Sequence, residues 1–222
     1  MSEPAMITVK GDGIPINLAR WEGAGPPVLC VHGLTANCHC WDLMASALCP
    51  THEIMAVDLR GRGRSGRPST GYSLDHHVGD LLCVLDDLGL ERVVLMGHSL
   101  GTFISLVFAA RHPERTERLI LVDGGGKLSP EQMDEVLKGI TPSLERLGKV
   151  FPSAAAYLEA VKKTPYVAPW SPTIEVYYRY EMEETRGAVS AATSIPRISR
   201  KRLPISGGWR RTGFMSGCRA RP

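Results

Sequence analysis

Short apolar runs alternate with amphipathic stretches over the first half of the chain. Pro27–Val31 is a continuous apolar run, and residues 53–59 and 92–96 are further runs of strand length. Between the last two, apolar residues recur every three or four positions over residues 74–88, which predicts an amphipathic helix that ends at Gly89. This alternation predicts an α/β fold with a doubly wound, mainly parallel sheet that has helices on both faces.

The third of these runs passes directly into another helical pattern. Apolar positions continue at helical spacing over residues 100–108, and this helix is expected to end near Pro113. Residues 119–123 then read as one more strand. Because strand and helix follow each other without a loop, the junction between them must be a tight turn.

The pattern changes twice in the second half of the chain. Ser129 followed by Pro130 is typical of a helix start, and the sequence to residue 187 predicts short helices and no strand. Residues 188–222 show neither an apolar period nor a strand run. The sequence therefore predicts a core over residues 1–128, a helical cap over residues 129–187 and a tail over residues 188–222.

Charge separates the tail from the rest of the chain. The net charge of +3 is the sum of −5 over residues 1–187 and +8 over residues 188–222, where no acidic residue occurs. A segment that is basic and poor in apolar residues has the composition of disorder. Its charge also raises a binding hypothesis, in which the tail contacts nucleic acid or a membrane surface.

The junction at residues 97–101 carries the strongest chemical signal. Gly97 and Gly101 flank Ser99 with one residue between each. A turn directly from a strand into a helix forces its middle residue into a strained conformation, and small neighbours let the backbone approach. We expect this turn to present the Ser99 hydroxyl at the helix N-terminus, which favours developing negative charge. The alternative is a tight turn without chemistry.

A second motif follows the apolar run Pro27–Val31. His32, Gly33 and Leu34 begin the loop after this predicted strand. Beside a nucleophile turn, the backbone N–H of Leu34 would pair with that of Leu100 to bind an oxyanion. For the His32 side chain, we expect a structural role in bracing the loop.

A dinucleotide site is not supported by the glycine-rich segment of the chain. Gly61, Gly63 and Gly66 have the spacing of the dinucleotide fingerprint. However, Pro68 follows at the place where a helix should begin, so the structural context of that motif is missing. No cofactor is implied.

Two other clusters also favour structural roles. Cys38 and Cys40 have no second ligand pair at zinc-like spacing, so no metal site is expected. The glycine-rich segment holds four arginines without interleaved aromatic residues, which is more typical of a solvated loop than of a specific nucleic-acid site. These arginines are Arg60, Arg62, Arg64 and Arg67.

Four motifs together resemble the α/β-hydrolase superfamily in order and spacing. They are Val31-His32-Gly33-Leu34-Thr35, Asp58-Leu59-Arg60-Gly61-x-Gly63-x-Ser65, Gly71-Tyr72-Ser73 and Gly97-His98-Ser99-Leu100-Gly101. The chain is most similar to the small bacterial esterase, lactonase, haloperoxidase-like and C–C hydrolase branches. The resemblance covers residues 14–125 strongly, and residues 129–186 look like the helical cap of that family.

The resemblance implies roles for particular residues. Ser99 would be the nucleophile, and the backbone amides of Leu34 and Leu100 would form the oxyanion hole. Gly97 and Gly101 would be the glycines of the nucleophile elbow. Cap residues would shape the pocket for a small acyl substrate.

The end of the chain departs from the family pattern. Family members continue after the cap with two more strands, which usually lead to the catalytic acid and the catalytic histidine. Here the last two strands are missing, and no histidine follows Ser99 at the required distance, so no histidine base is found. The seven histidines are His32, His39, His52, His76, His77, His98 and His112. Asp123 is a candidate for the acid, at a position that some branches use, although an aspartate there is more often a turn residue.

The departure leads to three expectations about the chain. The charge change near residue 187 suggests a truncated or out-of-frame end. Without the two strands, residues 119–122 would form an unpaired apolar sheet edge. A serine without its histidine base is a weak nucleophile, so the activity of this chain would be reduced by several powers of ten.

Two function classes remain in view besides the binding hypothesis for the tail. The leading one is a serine hydrolase acting on a small ester, lactone or related acyl substrate. The alternative is a non-catalytic α/β-hydrolase fold that binds a small ligand or a partner. The N-terminus lacks the pattern of a secretory signal and no apolar run could span a membrane, so we expect a cytoplasmic protein. The oligomeric state is left open.

Overall fold

The core is built around a six-stranded sheet. The computed structural model describes residues 3–164, 167–185 and 188–191. The sheet has the strand order β1-β2-β4-β3-β5-β6. Its strands are β1 (Ala5–Lys10), β2 (Pro15–Trp21), β3 (Pro27–Val31), β4 (Glu53–Val57), β5 (Val93–His98) and β6 (Thr116–Val122). β2 pairs antiparallel with β1 and β4, and the pairs β3–β4, β3–β5 and β5–β6 are parallel. The predicted mainly parallel sheet is confirmed.

Helices cover both faces of this sheet. They are α1 (Asp42–Leu48), α2 (Leu74–Asp87) and α3 (Leu100–Arg111). One core cluster packs α2 and α3 against the sheet, with Leu85 and Phe108 fully buried. A second cluster lies on the opposite face and includes Ala45 of α1 and the neighbouring Trp41. Successive strand residues point to opposite faces, so each buried strand contributes to both clusters.

The second half of the chain, predicted to be a cap, has its own small hydrophobic core. It contains α4 (Pro130–Arg146), β7 (Val150–Phe151), α5 (Ala154–Lys162), α6 (Pro172–Glu181), β8 (Met182–Thr185) and β9 (Ala188–Ala191). α4 begins as the sequence predicts, with the Ser129 side chain accepting a hydrogen bond from the Gln132 N–H at 3.2 Å. Tyr157, Leu158 and Val161 of α5 are buried in the cap core.

The prediction of a cap without strands is wrong. β7, β8 and β9 form a three-stranded antiparallel sheet, and β9 begins at Ala188, one residue beyond the boundary predicted at residue 187. Strands of two to four residues are too short to show a period of two in the sequence, and their pairing depends on partners distant in the chain. The rest of the predicted tail, residues 192–222, lies outside the described residues.

The sheet ends in an apolar edge. In the described part of the chain, β6 pairs with β5 and has no strand on its other side. Ile120, Leu121 and Val122 have exposed fractions of 40%, 40% and 39%. Consecutive strand residues point to opposite faces, so nearly equal exposure of all three cannot come from one open face of the sheet. The exposure comes from the open edge of the strand.

The arginine-rich loop after β4 is partly buried, so its interpretation as a solvated loop is wrong for two residues. Arg60 and Arg62 have exposed fractions of only 3% and 8%. Arg60 Nε and Nη2 donate to the two carboxylate oxygens of Asp80 on α2, at 2.6 and 2.7 Å. Burial raises the pKa of Asp80, and the hydrogen bonds from Arg60 oppose that shift. The sequence alone does not show that a carboxylate of α2 faces this loop.

A second buried carboxylate connects the core to the cap. The Asp58 side chain is fully buried and accepts hydrogen bonds from the N–H groups of Cys38 and Arg64, at 2.8 and 2.9 Å. The Tyr180 hydroxyl of α6 also donates to it, at 2.6 Å. Burial raises the pKa of Tyr180, so the phenol remains a hydrogen-bond donor. Asp58 therefore fixes the loops after β3 and β4 and the position of α6 together.

His32 joins the loops that follow β3 and β4. Its Nε2 accepts a hydrogen bond from the Leu59 N–H at 3.0 Å, which leaves the ring proton on Nδ1. Nδ1 then donates to the Gly33 carbonyl at 2.7 Å. Burial lowers the pKa of His32 to about 4, so the ring is neutral and bound on both sides.

Removal of one partner of the buried Arg60–Asp80 pair should destabilise the folded protein strongly. Asp80→Asn leaves a buried guanidinium without its counterion, and we expect a loss of about 3–5 kcal/mol in the free energy of unfolding. Asp86→Asn, in the same helix, breaks the more exposed pair with Arg115 and should cost about 1 kcal/mol or less. Urea unfolding of both variants measures the difference, and equal losses would contradict the assignment.

The neutral His32 predicts a loss of stability in acid. Between its ordinary pKa of 6.5 and its folded pKa of about 4, the unfolded chain binds a proton that the native chain does not. The free energy of unfolding should therefore fall by about 3 kcal/mol as the pH is lowered through this window. The pKa of His77 is also lowered by burial and adds a change of the same sign. The His32→Gln variant should be less stable at pH 7, and its free energy of unfolding should change less with pH between 6.5 and 4. An unchanged pH dependence would exclude His32 as a cause of the acid destabilisation.

Candidate active site

Ser99 occupies the single-residue turn between β5 and α3. Its backbone has φ 51° and ψ −115°, a conformation that residues other than glycine rarely adopt. The Ser99 N–H donates to the Val122 carbonyl at 3.1 Å, and the Ser99 carbonyl accepts from the Thr102 N–H at 3.0 Å and the Thr102 hydroxyl at 2.6 Å. Hydrogen bonds on both sides thus hold the strained residue in place.

Glycines allow the surrounding backbone to approach this turn. A Cβ atom on Gly97 would lie 2.4 Å from the Gly101 carbonyl oxygen, and one on Gly101 would lie 2.1 Å from the Val31 carbonyl oxygen. Neither distance is compatible with a side chain. The glycine at each position therefore lets α3 pack directly on the carboxyl ends of β3 and β5.

The loop after β3 lies against the same turn. An ideal Cβ on Gly33 would be 3.2 Å from the Ser99 Cβ, so Gly33 and Ser99 are immediate neighbours. Leu34, Ser99 and Leu100 are all partly exposed. Leu100 is the first residue of α3, so its N–H has no acceptor within the helix.

The direction of the Leu34 N–H follows from the peptide that contains it. The Gly33 carbonyl of this peptide is held by His32 Nδ1, and a trans peptide places its N–H on the opposite side. In the described part of the chain, the Leu34 N–H donates to no acceptor. Among the described residues, the N–H groups of Leu34 and Leu100 thus have no protein acceptor. Leu100 follows Ser99 directly, and Leu34 follows Gly33, which adjoins Ser99. Two free N–H groups near one hydroxyl are suited to binding a developing oxyanion.

The structure gives most histidines partners other than Ser99. All seven lie within the described residues, and none is hydrogen-bonded to the Ser99 hydroxyl there. The ring of His98 packs edge-on against Trp41, with a centroid distance of 6.5 Å. His112 lies at the far end of α3, where it packs against Phe108.

Asp123 lies at the end of β6 beside His98. Its side chain is 88% exposed, and its carboxylate is 3.9 Å from His98 Nε2. Asp123 also has a positive φ of 51°. The carboxylate of a catalytic triad is buried and hydrogen-bonded to its histidine, and Asp123 shows neither property.

One residue that supports this site is not evident from the sequence. Arg62 Nε donates to the Leu34 carbonyl at 3.1 Å, from a loop that the sequence predicts to be solvated. No local signal could have found it, because the two residues meet only through the parallel pairing of β3 with β4.

Within residues 3–164, 167–185 and 188–191, no group of three or more His, Cys, Asp or Glu side chains could hold a metal ion. No helix in these ranges is long and apolar enough to cross a membrane.

Two curated hydrolases are similar to this chain in sequence. The chain is 37% identical over 145 residues to 2-hydroxymuconate semialdehyde hydrolase of Pseudomonas sp. strain CF600, which covers 62% of this chain and 50% of that protein. It is 33% identical over 143 residues to 3-hydroxybutyrate-oligomer hydrolase of Cupriavidus necator, which covers 63% of this chain and 48% of that protein. The chain thus spans about half the length of these curated relatives.

Solved structures share the fold. A crystal structure of an α/β hydrolase from Novosphingobium aromaticivorans superposes with a TM-score of 0.69 at 25% identity, over 87% of this chain and 69% of that chain. The sequence profile of the α/β hydrolase fold matches residues 26–158. With the strand order and the serine turn described above, this match shows that the chain belongs to the α/β-hydrolase fold family.

Proposed function

We propose that this chain carries the acyl-binding half of a serine hydrolase that acts on a small ester, lactone or related acyl compound, with Ser99 as its nucleophile. The observation that supports this most is the strained Ser99 turn, which lies between the partly exposed Leu34 and Leu100 with their free N–H groups. A structural turn would not require a strained serine, which costs about 1–3 kcal/mol.

The proposed reaction begins with attack by the Ser99 hydroxyl oxygen on the substrate carbonyl carbon. The hydroxyl proton passes to a base, and the carbonyl oxygen becomes an oxyanion that accepts hydrogen bonds from the N–H groups of Leu34 and Leu100. The oxyanion then re-forms the carbonyl as the bond to the alcohol or other leaving group breaks, the leaving group takes up that proton, and an acyl-Ser99 ester remains. Water then hydrolyses this ester by the same route and restores the hydroxyl.

The base is the weak part of the site in this chain. No histidine of the described residues is hydrogen-bonded to Ser99, and His32 uses both ring nitrogens within the protein. An oxyanion hole and substrate binding alone leave about 10³- to 10⁴-fold of catalysis over water when a triad member is lost. We therefore expect slow turnover and clearer reaction with activated acyl or phosphonyl reagents.

The names of the relatives support a small substrate. One is named as a hydrolase of 3-hydroxybutyrate oligomers and another as a hydrolase of 2-hydroxymuconate semialdehyde. The cap in this chain, which Tyr180 fixes to Asp58 of the core, would shape the substrate pocket.

Because no histidine of the described residues is hydrogen-bonded to Ser99, a second function is also a candidate. An α/β-hydrolase fold with an intact oxyanion hole and no base could bind a small carbonyl or carboxylate ligand without converting it. This second candidate predicts ligand binding at the Leu34 and Leu100 amides and no covalent adduct on Ser99.

A fluorophosphonate probe separates the two candidates. We expect slow, saturable labelling of the folded protein, with the adduct located on Ser99 by peptide mass spectrometry. Ser99→Ala should abolish the labelling, and Ser46→Ala, which changes a serine in α1, should leave it unchanged. Labelling that is the same in Ser99→Ala, or absent from the folded wild-type chain, would exclude the nucleophile role.

A further inference from the structure

The Leu34 peptide is held through both of the carbonyl groups that flank its N–H. His32 Nδ1 donates to the Gly33 carbonyl at 2.7 Å, and Arg62 Nε donates to the Leu34 carbonyl at 3.1 Å. Each peptide group rotates as a rigid plane, so these two contacts restrict the backbone torsions on both sides of Leu34. The His32 contact fixes the Gly33–Leu34 peptide plane, which contains the Leu34 N–H. The Arg62 contact fixes the next peptide plane, Leu34–Thr35, so that its rotation does not disturb the first.

Arg62 is an unusual group to use for such a contact. It is buried, and in the described part of the chain it forms no ion pair, in contrast with Arg60 and its partner Asp80. Its second contact is again to a backbone carbonyl, from Nη1 to Arg60 at 2.9 Å. Burial lowers the pKa of Arg62 to about 10, which reflects the unfavourable environment of this cation.

The cost of this burial indicates a role beyond closing a loop. A neutral donor could hold the Leu34 carbonyl without the desolvation penalty of a charge. A guanidinium adds a rigid, planar donor and a positive charge within one residue of the N–H proposed to bind the oxyanion. Since the Arg62 side chain donates to backbone carbonyls, among them that of Leu34, it would act through Leu34.

We propose that Arg62 is a positioning residue of the oxyanion hole, which holds the Leu34 carbonyl and, together with the His32 contact, keeps the Leu34 N–H directed toward the oxygen of an acyl group on Ser99. The proposal rests on the hydrolase function proposed above. It predicts that loss of Arg62 slows chemistry at Ser99 while the affinity for the reagent before reaction stays the same.

The kinetic test compares Arg62→Gln, Arg62→Lys and Arg67→Gln with the wild-type chain. Arg67 is the matched control, because it lies in the same loop and its Nη2 donates to a backbone carbonyl, that of Gly63, at 3.0 Å. With a fluorophosphonate probe, Arg62→Gln should lower the maximal labelling rate about 10- to 100-fold with little change in half-saturating concentration. Arg62→Lys should recover part of the rate, and Arg67→Gln should match the wild type. Equal maximal rates in folded Arg62→Gln and wild type would overturn the proposal.

A second measurement does not depend on reaction at Ser99. In ¹⁵N-labelled protein, Arg62→Gln or Arg62→Lys should shift the Leu34 and Thr35 amide resonances more than Arg67→Gln does. If neither Arg62 variant folds, the wild-type Arg62 Nε–H must still show slow exchange with solvent, as a buried donor to Leu34 would. Fast exchange, or unmoved Leu34 and Thr35 resonances, would refute the positioning role. Absence of labelling in the wild type, with these shifts present, would instead refute the hydrolase function.

Discussion

The rest of the site depends on one constraint, the reversal of the chain from β5 to α3 within a single residue. Ser99 adopts its left-handed φ at a cost of about 1–3 kcal/mol. The surrounding contacts must therefore stabilise this conformation by more than that cost. The Val122 carbonyl and the N–H and hydroxyl of Thr102 provide this stabilisation through three hydrogen bonds to the Ser99 backbone. Relaxation of the turn would move both the hydroxyl and the first N–H groups of α3.

Buried polar groups surround this turn and fix the loops that meet it. His32, Arg62 and Asp58 each bind backbone groups of a neighbouring loop, so the ends of β3 and β4 form one hydrogen-bonded unit. Such contacts carry a large desolvation cost, and their net contribution to stability is small compared with the loss when one partner is removed. Their effect is to allow one arrangement of the loops, which the proposed oxyanion site of backbone N–H groups requires. Through Tyr180, the same unit also holds the cap.

How much the sequence could predict depends on how far apart the interacting residues are. The strand–turn–helix junction at Ser99 and the helix start at Ser129 are specified by neighbouring residues, and both are readable from the sequence. The Arg60–Asp80 pair joins residues 20 positions apart, and the Asp58–Tyr180 contact joins residues 122 positions apart. Neither has a local pattern, so the sequence predicts a solvated arginine loop and does not predict the contact between Asp58 and Tyr180. β7 and β9 escape prediction for the same reason.

The position of the candidate site within the sheet shows which strands the proposed acyl-binding groups depend on. Ser99 follows β5 and the Leu34 loop follows β3, and these two strands pair directly with each other in the interior of the sheet. The proposed acyl-binding groups therefore depend on β3, β4 and β5 and on the helices that cover them, all of which lie within the described residues. A catalytic base does not have to lie on β3, β4 or β5, since it needs only to reach the Ser99 hydroxyl within hydrogen-bond distance. Binding of an oxyanion and removal of a proton are thus separable in this fold. The exposed edge of β6 is likewise apart from the strand pair that carries the proposed acyl-binding groups, because β5 lies between β3 and β6.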